Sequence, residues 1–283
     1  MCRGLFVLGL ISASLQAAVG TADQASKLYA ATQYEASLKL LISIPEKDAH
    51  VFDLLGKNYY RLGDFKKASE AYEKAVAADP TNADYENWLG RAYGKRAETS
   101  SPFTAPGLAS KARQHFEKAF ALNPKSKDAV DDLFEYYLEA PGFLGGGLDK
   151  AAKLAEHMGD LDLSEGFWAQ AKIAERRKDY GKAEEQLRRA IQQAPMKVSR
   201  VVELAKFLSK RGRIEESEQE FKVAERISPD NPRLLYHRAE TYVQGKRNLD
   251  TARDLLRRYL SATLSPDDPS RSDAEKLLKQ AGG

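Results

Sequence analysis

Residues 49–82 read AHVFDLLGKNYYRLGDFKKASEAYEKAVAADPTN, and the pattern inside this stretch decides the fold. Phe52, Leu55, Tyr59, Phe65 and Tyr72 supply bulk, while Gly56, Ala68 and Ala75 are small. Small side chains let two helix backbones approach closely, and the bulky ones fill the space between those helices and the next pair. Gly63 ends the first helix and Pro80 closes the second, so the stretch is one helix-turn-helix unit of a repeat protein.

The same unit recurs along most of the chain. Prolines that follow a second helix stand at Pro80, Pro124, Pro195 and Pro229, the last two one 34-residue period apart (229 − 195). The wider gaps before them mark insertions, not loss of the repeat. In a common frame position 8 is Gly56, Gly90, Ala171, Ala205 and Ala239, and position 20 is Ala68, Ala112, Ala151, Ala183 and Ala252. Six units follow: 49–82, 83–126 and 127–163, the last two each with an insertion, then 164–197, 198–231 and 232–265. A partial unit at 21–48 carries Tyr34, Leu38 and Leu41 on its second helix. A terminal helix within 266–283, starting near Ser270, would cover the apolar end that a stack of repeats exposes. Phe134 at the small position 8 of the unit at 127, and Tyr259 at the small position 27 of the last, require different local packing.

This pattern resembles the tetratricopeptide repeat, which places bulky residues at positions 4, 7, 11, 17 and 24 and small ones at 8, 20 and 27. The resemblance covers nearly all of the chain after residue 20. It implies an all-α fold, a TPR-like α-solenoid in which antiparallel helix pairs form a right-handed superhelix. A solenoid grows along one axis and needs no second core, so one continuous superhelix is expected.

Charge and the N-terminus bound the partners and the compartment. The 283 residues carry 44 basic against 41 acidic side chains, without the excess of a general nucleic-acid binder, so no nucleic acid is expected as partner. Arg3 precedes an apolar run from Leu5 to Leu15, and small residues follow at Ala17, Ala18, Gly20 and Ala22. This reads as an export signal over 1–20, cut after Gly20 with Ala17 and Ala22 as alternative positions; the competing reading is a helix packed on the first repeat. The run is too short for a bilayer, which needs about 20 apolar residues. Cys2, the only cysteine, lies before the run and does not match a lipoprotein attachment site. After cleavage no disulfide, thiol nucleophile or thiolate ligand would remain. The expected location is periplasmic or secreted, with no membrane span in the mature chain.

Two segments break the repeat rhythm. Residues 99–107, Thr-Ser-Ser-Pro-Phe-Thr-Ala-Pro-Gly, belong to about ten extra residues, and 140–147, Ala-Pro-Gly-Phe-Leu-Gly-Gly-Gly, add about five to the next unit. Both fall between the first and second helix of their units, and both should emerge as loops on one edge. Phe103, Phe143 and Leu144 then admit two readings. They form a loop site for a partner, or they tuck back to cover the gap at Phe134.

Chemistry-bearing motifs are sparse. His50, His115, His157 and His237 are widely spaced and none has a metal-ligating partner one helical turn on, so neither metal nor cofactor is expected. Gly145–Gly147 lacks the Lys-Ser or Lys-Thr of a phosphate loop, and no serine has the context of a nucleophile elbow. Asp131 with Asp132 and Glu184 with Glu185 are adjacent carboxylates, which diverge on a helix and fit solvation better than acid–base work. Turnover is not expected.

The polar signal lies on the first helix of each unit, where positions 9 and 13 share a face. They read Lys57 and Arg61, Arg91 and Lys95, Lys172 and Arg176, and Lys206 and Lys210, with a reversal at Glu135 and Glu139. In the family that this chain resembles, positions 2, 5, 9, 12 and 13 line a concave groove that holds peptides. The resemblance thus implies basic patches at both ends of an acidic middle, with Trp168 and Tyr236 at position 5 and Tyr60 at position 12 as aromatic anchors. A competing account is that these bases, with Asp53, Asp84, Asp128 and Glu165 near the helix starts, complement helix dipoles by about 0.3–1 kcal/mol each. The resemblance stops short of the carboxylate clamp, because Lys57, Arg91, Lys172 and Lys206 stand where its asparagine would be. The expectation is an exported, non-catalytic scaffold holding a peptide or protein in its groove. The alternative is a structural subunit of an envelope or secretion assembly, acting through oligomer contacts.

Overall fold

The computed structural model describes residues 19–283, and all regular structure in that range is helical. Most of the expected export signal, with Cys2, lies outside the described residues. The helices are α1 (residues 19–30), α2 (Tyr34–Ser43), α3 (Ala49–Arg61), α4 (Phe65–Ala78), α5 (Ala83–Thr99), α6 (Ala105–Leu122), α7 (Lys127–Glu139) and α8 (Leu148–Leu161). They continue as α9 (Leu163–Arg176), α10 (Tyr180–Gln193), α11 (Val198–Lys210), α12 (Ile214–Ile227), α13 (Pro232–Gln244), α14 (Leu249–Ser261) and α15 (Arg271–Gln280).

Local chemistry sets the boundaries. Asp48, Asn82, Asp162 and Asn231 cap α3, α5, α9 and α13 by accepting from backbone N–H groups of the first turn, which have no partner inside the helix. Between first and second helices the chain turns through a left-handed residue at one repeat position: Gly63, Lys178, Gly212 and Lys246, with φ of 79°, 62°, 77° and 49°. Glycine takes that conformation without cost, whereas the two lysines hold it against a Cβ penalty.

Packing follows the small–large alternation. A Cβ on Gly56 would meet the Tyr72 ring at 2.6 Å, and one on Gly90 would meet the Phe116 ring at 2.6 Å. Each glycine is therefore the hole into which the second helix inserts its ring. Phe134 is fully buried despite its small-residue position. Tyr259, also fully buried, lies 5.4 Å from the Tyr236 ring and donates its hydroxyl to the Pro269 carbonyl. The oversized ring thus anchors the segment leading to α15, whose Ala274 and Leu277 join the same apolar cluster.

The chain divides into two compact units. Unit 1 runs to Tyr136 and includes Pro141–Gly145; unit 2 comprises Tyr137–Ala140 and Gly146–Gly283. In unit 1, Ala22, Ala25, Leu41, Ile44, Leu54 and Leu55 share one core cluster. In unit 2, Leu187, Leu204 and Leu208 lie in one cluster and Val201, Phe221 and Leu234 in another.

The first insertion differs from the expected loop. It is absorbed largely as helix: α5 reaches 17 residues and α6 reaches 18, which leaves only 100–104 as connection. The second insertion forms a 3-10 turn at Gly142–Leu144 that ends in the left-handed Gly145. The Tyr136 hydroxyl donates to the Leu144 carbonyl at 2.9 Å and fixes this turn.

Candidate functional site

In unit 1 the first helices α3 and α5 build a cluster around Trp88, a half-buried residue that the sequence pattern did not single out. Lys57, Arg61 and Arg91 place their cations 5.9, 5.8 and 4.7 Å from its ring. Tyr60 meets the ring edge-on at 5.4 Å, and Tyr72 stacks on it at 5.9 Å. One indole thus gathers three of the expected groove cations and one expected aromatic anchor.

Those cations are not bare. Lys57 pairs with Asp53 at 2.7 Å, and Arg91 pairs with Asp132 and, at 3.3 Å, with Asp128. Asn87 donates to Asp132 at 2.6 Å. Burial pushes the carboxyls of Asp53 and Asp132 up, against the downward pull of Lys57 and Arg91. The expected solvation of the Asp131–Asp132 pair therefore fails at Asp132, which faces inward, while Asp131 takes Lys127 at 2.5 Å. Lys95 turns to Glu98 on its own helix at 2.8 Å, and Glu135 is exposed.

In unit 2 the organising residue is Glu203 on α11. It receives Lys172 from α9 at 2.6 Å and Lys206 from its own helix at 3.3 Å. Burial raises its carboxyl, but the two lysines outweigh that and hold it at about 2. Lys172 also lies 5.7 Å from the Trp168 ring, and the buried Arg200 lies 4.9 Å from the same ring while pairing with the buried Glu165. Arg176 meets Glu139 at 3.5 Å. Tyr236 packs against Tyr259 and His237, and its hydroxyl is pushed up to about 12 by burial and then by Glu240 and Asp273. Lys210 ends α11, where its charge helps depress Glu240, which accepts from His237 in the first place. Glu184, read as solvated, bridges Arg188 at 2.8 Å and Arg213.

The loop residues separate. Phe103 is 96% exposed and Phe143 82% exposed, while Leu144 is half-buried. The two phenyl rings therefore do not tuck back to cover Phe134. Among the described residues, no group of three or more His, Cys, Asp or Glu could hold a metal, and no helix is long and apolar enough to cross a membrane.

With this geometry in view, two stretches match known family models: residues 56–96 that of the TPR repeat, and residues 168–232 that of the tetratricopeptide repeat. Over these stretches the chain is similar to tetratricopeptide repeats. Among solved structures, a tetratricopeptide repeat protein from Parabacteroides merdae is similar over 95% of this chain and 100% of its own, with 14% identity and a TM-score of 0.60. A thermophilic TPR protein in Thermus thermophilus is similar over 68% of this chain and 98% of its own, with 22% identity and a TM-score of 0.54. Both likenesses carry the fold, a TPR-like α-solenoid, and not a partner. No curated protein matches the sequence. Tetratricopeptide repeats serve as scaffolds for contacts between proteins.

Proposed function

We propose that this chain is an exported, non-catalytic scaffold that binds a peptide or protein on the faces formed by the first helices of its repeats. The observation that carries the reading is the Trp88 cluster. A half-buried indole flanked by Lys57, Arg61 and Arg91 is the composition that interfaces favour at their energetic centres. The helices beneath it fix the ring, so little side-chain freedom is lost on binding. Trp168 with Lys172 repeats the pairing in unit 2.

Affinity capture from an envelope fraction, with the mature chain as bait, tests this. Trp88→Ala should lower recovery of a captured partner by about tenfold or more, as for a binding hot spot, with helicity unchanged. Equal recovery by both baits sinks the assignment of the binding face. Export is tested by sequencing the N-terminus of the protein from cells: a chain beginning at Thr21 supports it, and one still carrying residues 1–20 counts against it.

A second reading has its own observation. Phe103 and Phe143 expose their rings, as a subunit acting through oligomer contacts would. Sedimentation of the purified chain separates the two: a monomer that captures a partner favours the scaffold, and a stable oligomer abolished by Phe103→Ser with Phe143→Ser favours the assembly subunit.

A further inference from the structure

Among the described residues of unit 1, Phe103 and Phe143 are the most exposed large apolar side chains, and built turns hold both of them out. In the connection 100–104 the backbone N–H groups of Thr104 and Ala105 donate to the Ser101 carbonyl at 3.0 and 2.9 Å. The Gly142–Leu144 turn packs against α6, where a Cβ on the adjoining Gly145 would meet the Arg113 side chain at 2.8 Å. Arg113 lies about 12 Å along α6 from its first residue, Ala105, at roughly 1.5 Å per residue, so the two rings stand off one helix.

The rings protrude instead of lining a cleft. A Cβ added at Gly107 or Gly142, beside the two tips, would meet nothing within 4 Å. Residues 99–110 and Pro141–Gly145 contain no charged side chain in a chain where 30% of residues are charged, so covering these segments would desolvate no ion. A protein partner would need pockets matched to two separated rings, whereas the surface of a bilayer receives protruding rings without a matched shape.

Cations border the apolar tips. Arg96, in the last turn of α5, donates to the Ser69 hydroxyl at 2.8 Å, and Lys111, on α6, donates to the Tyr93 hydroxyl at 3.4 Å. Among the described residues neither pairs with a carboxylate, unlike Lys95 with Glu98 or Arg113 with Glu117. Their charges lie 5.4 and 5.0 Å from the Tyr93 ring, at the end of the α5–α6 pair that carries Phe103. Glu73 reaches this spot by accepting from the Tyr93 hydroxyl, and two cations against one carboxylate leave it net positive. Uncharged rings beside unpaired cations have the composition with which peripheral proteins enter an anionic bilayer surface.

We propose that unit 1 docks on an anionic lipid surface, with Phe103 and Phe143 entering the interface and Arg96 and Lys111 meeting the headgroup phosphates. This contact is peripheral, needs no spanning helix, and goes beyond the protein-binding reading.

Co-sedimentation with phosphatidylcholine vesicles, with and without phosphatidylglycerol, provides the test. The chain beginning at Thr21 is compared with the full chain, because Leu5–Leu15 is itself apolar. The expected result is binding by the Thr21 chain that rises with phosphatidylglycerol. It should fall about tenfold with Phe103→Ser or Phe143→Ser, and about a hundredfold with both. Arg96→Gln with Lys111→Gln should remove the preference for phosphatidylglycerol. In Phe103→Trp, lipid should shift the emission of the added indole to the blue; circular dichroism reports whether each variant keeps its helices. Binding by the full chain alone, binding indifferent to phosphatidylglycerol or to the two serines, or an indole that stays in water overturns the proposal. A lipid-free oligomer that the two serines dissociate also overturns it, because the rings then cover a second copy.

Discussion

Unit 1 and unit 2 place different chemistry at the same repeat position. Position 5 is Asp53 and Asn87 on α3 and α5, but Trp168, Val202 and Tyr236 on α9, α11 and α13. In unit 1 two carboxylates are uncomfortable: Asp53 is buried and Asp132 half-buried, and both are pushed up by desolvation despite their cations. In unit 2 Glu203 is the comfortable one, since two lysines hold it at about 2. The small positions that set helix spacing are alike in both, as Gly56, Gly90, Ala171 and Ala205 show. Packing therefore holds the helix spacing while position 5 varies between the units, buried at Asp53, Asn87 and Val202 and half-buried at Trp168 and Tyr236.

The largest expected effect breaks unit 2 alone. Arg200→Ala removes the buried guanidinium that pairs with the buried Glu165, and should destabilise the unit by about 3 kcal/mol. Hydrogen exchange should show faster opening over α9–α12 and no change over α3–α4. Equal loss in both would mean that the two units unfold together.

Acid sharpens the contrast because the shifts have opposite signs. Glu203 is depressed from 4.5 to about 2, so its contribution is present above pH 4.5 and lost as pH falls toward 2, by up to about 3 kcal/mol. Asp53 and Asp132 are raised above 3.8, so they bind protons more tightly when folded, and acidification through their window favours the folded state. Glu203→Gln should therefore remove its own share of the acid sensitivity of unit 2, while the depressed Glu184, Glu218 and Glu240 keep theirs. An acid profile untouched by Glu203→Gln would show that the lysine pairing does not govern stability.

Smaller changes test single positions. Lys178→Gly and Lys246→Gly relieve left-handed strain in unit 2 and should each stabilise it by about 0.5–1 kcal/mol in urea titration. Lower stability would point to side-chain contacts that offset the strain. Phe143→Ser, at an exposed ring, should move stability by no more than about 0.5 kcal/mol.

Much of the fold was legible because a repeat writes its packing into spacing: Gly56 and Tyr72, or Gly90 and Phe116, are holes and knobs within one unit. The site was legible only in its cations. Lys57, Lys95 and Lys206 find carboxylates on their own helices, but Arg91 and Lys172 are neutralised from the next repeat, by Asp132 at 41 residues' separation and Glu203 at 31, and no local periodicity carries such pairs. Trp88 escaped notice because it stands at position 6, beside the groove positions, and becomes central only once α3 and α5 bring three cations to it. The insertions misled for a physical reason: Ala105, Pro106 and Gly107 look like a loop, yet proline is at home in the first turn of α6. Of the two readings open for Phe103 and Phe143, covering Phe134 fails, because both rings stand in solvent.

One joint in unit 2 behaves unlike the knob-and-hole contacts. A Cβ placed on Gly166 would stand 2.5 Å from the Gly159 Cα and 2.8 Å from its N, so α8 and α9 cross backbone on backbone. Where a ring fills a hole, rotamer changes and small slides give the joint some compliance. Where two main chains touch, none of that slack exists. Mechanically the α8–α9 crossing is a rivet, so bending of this unit under load falls on its other helix joints.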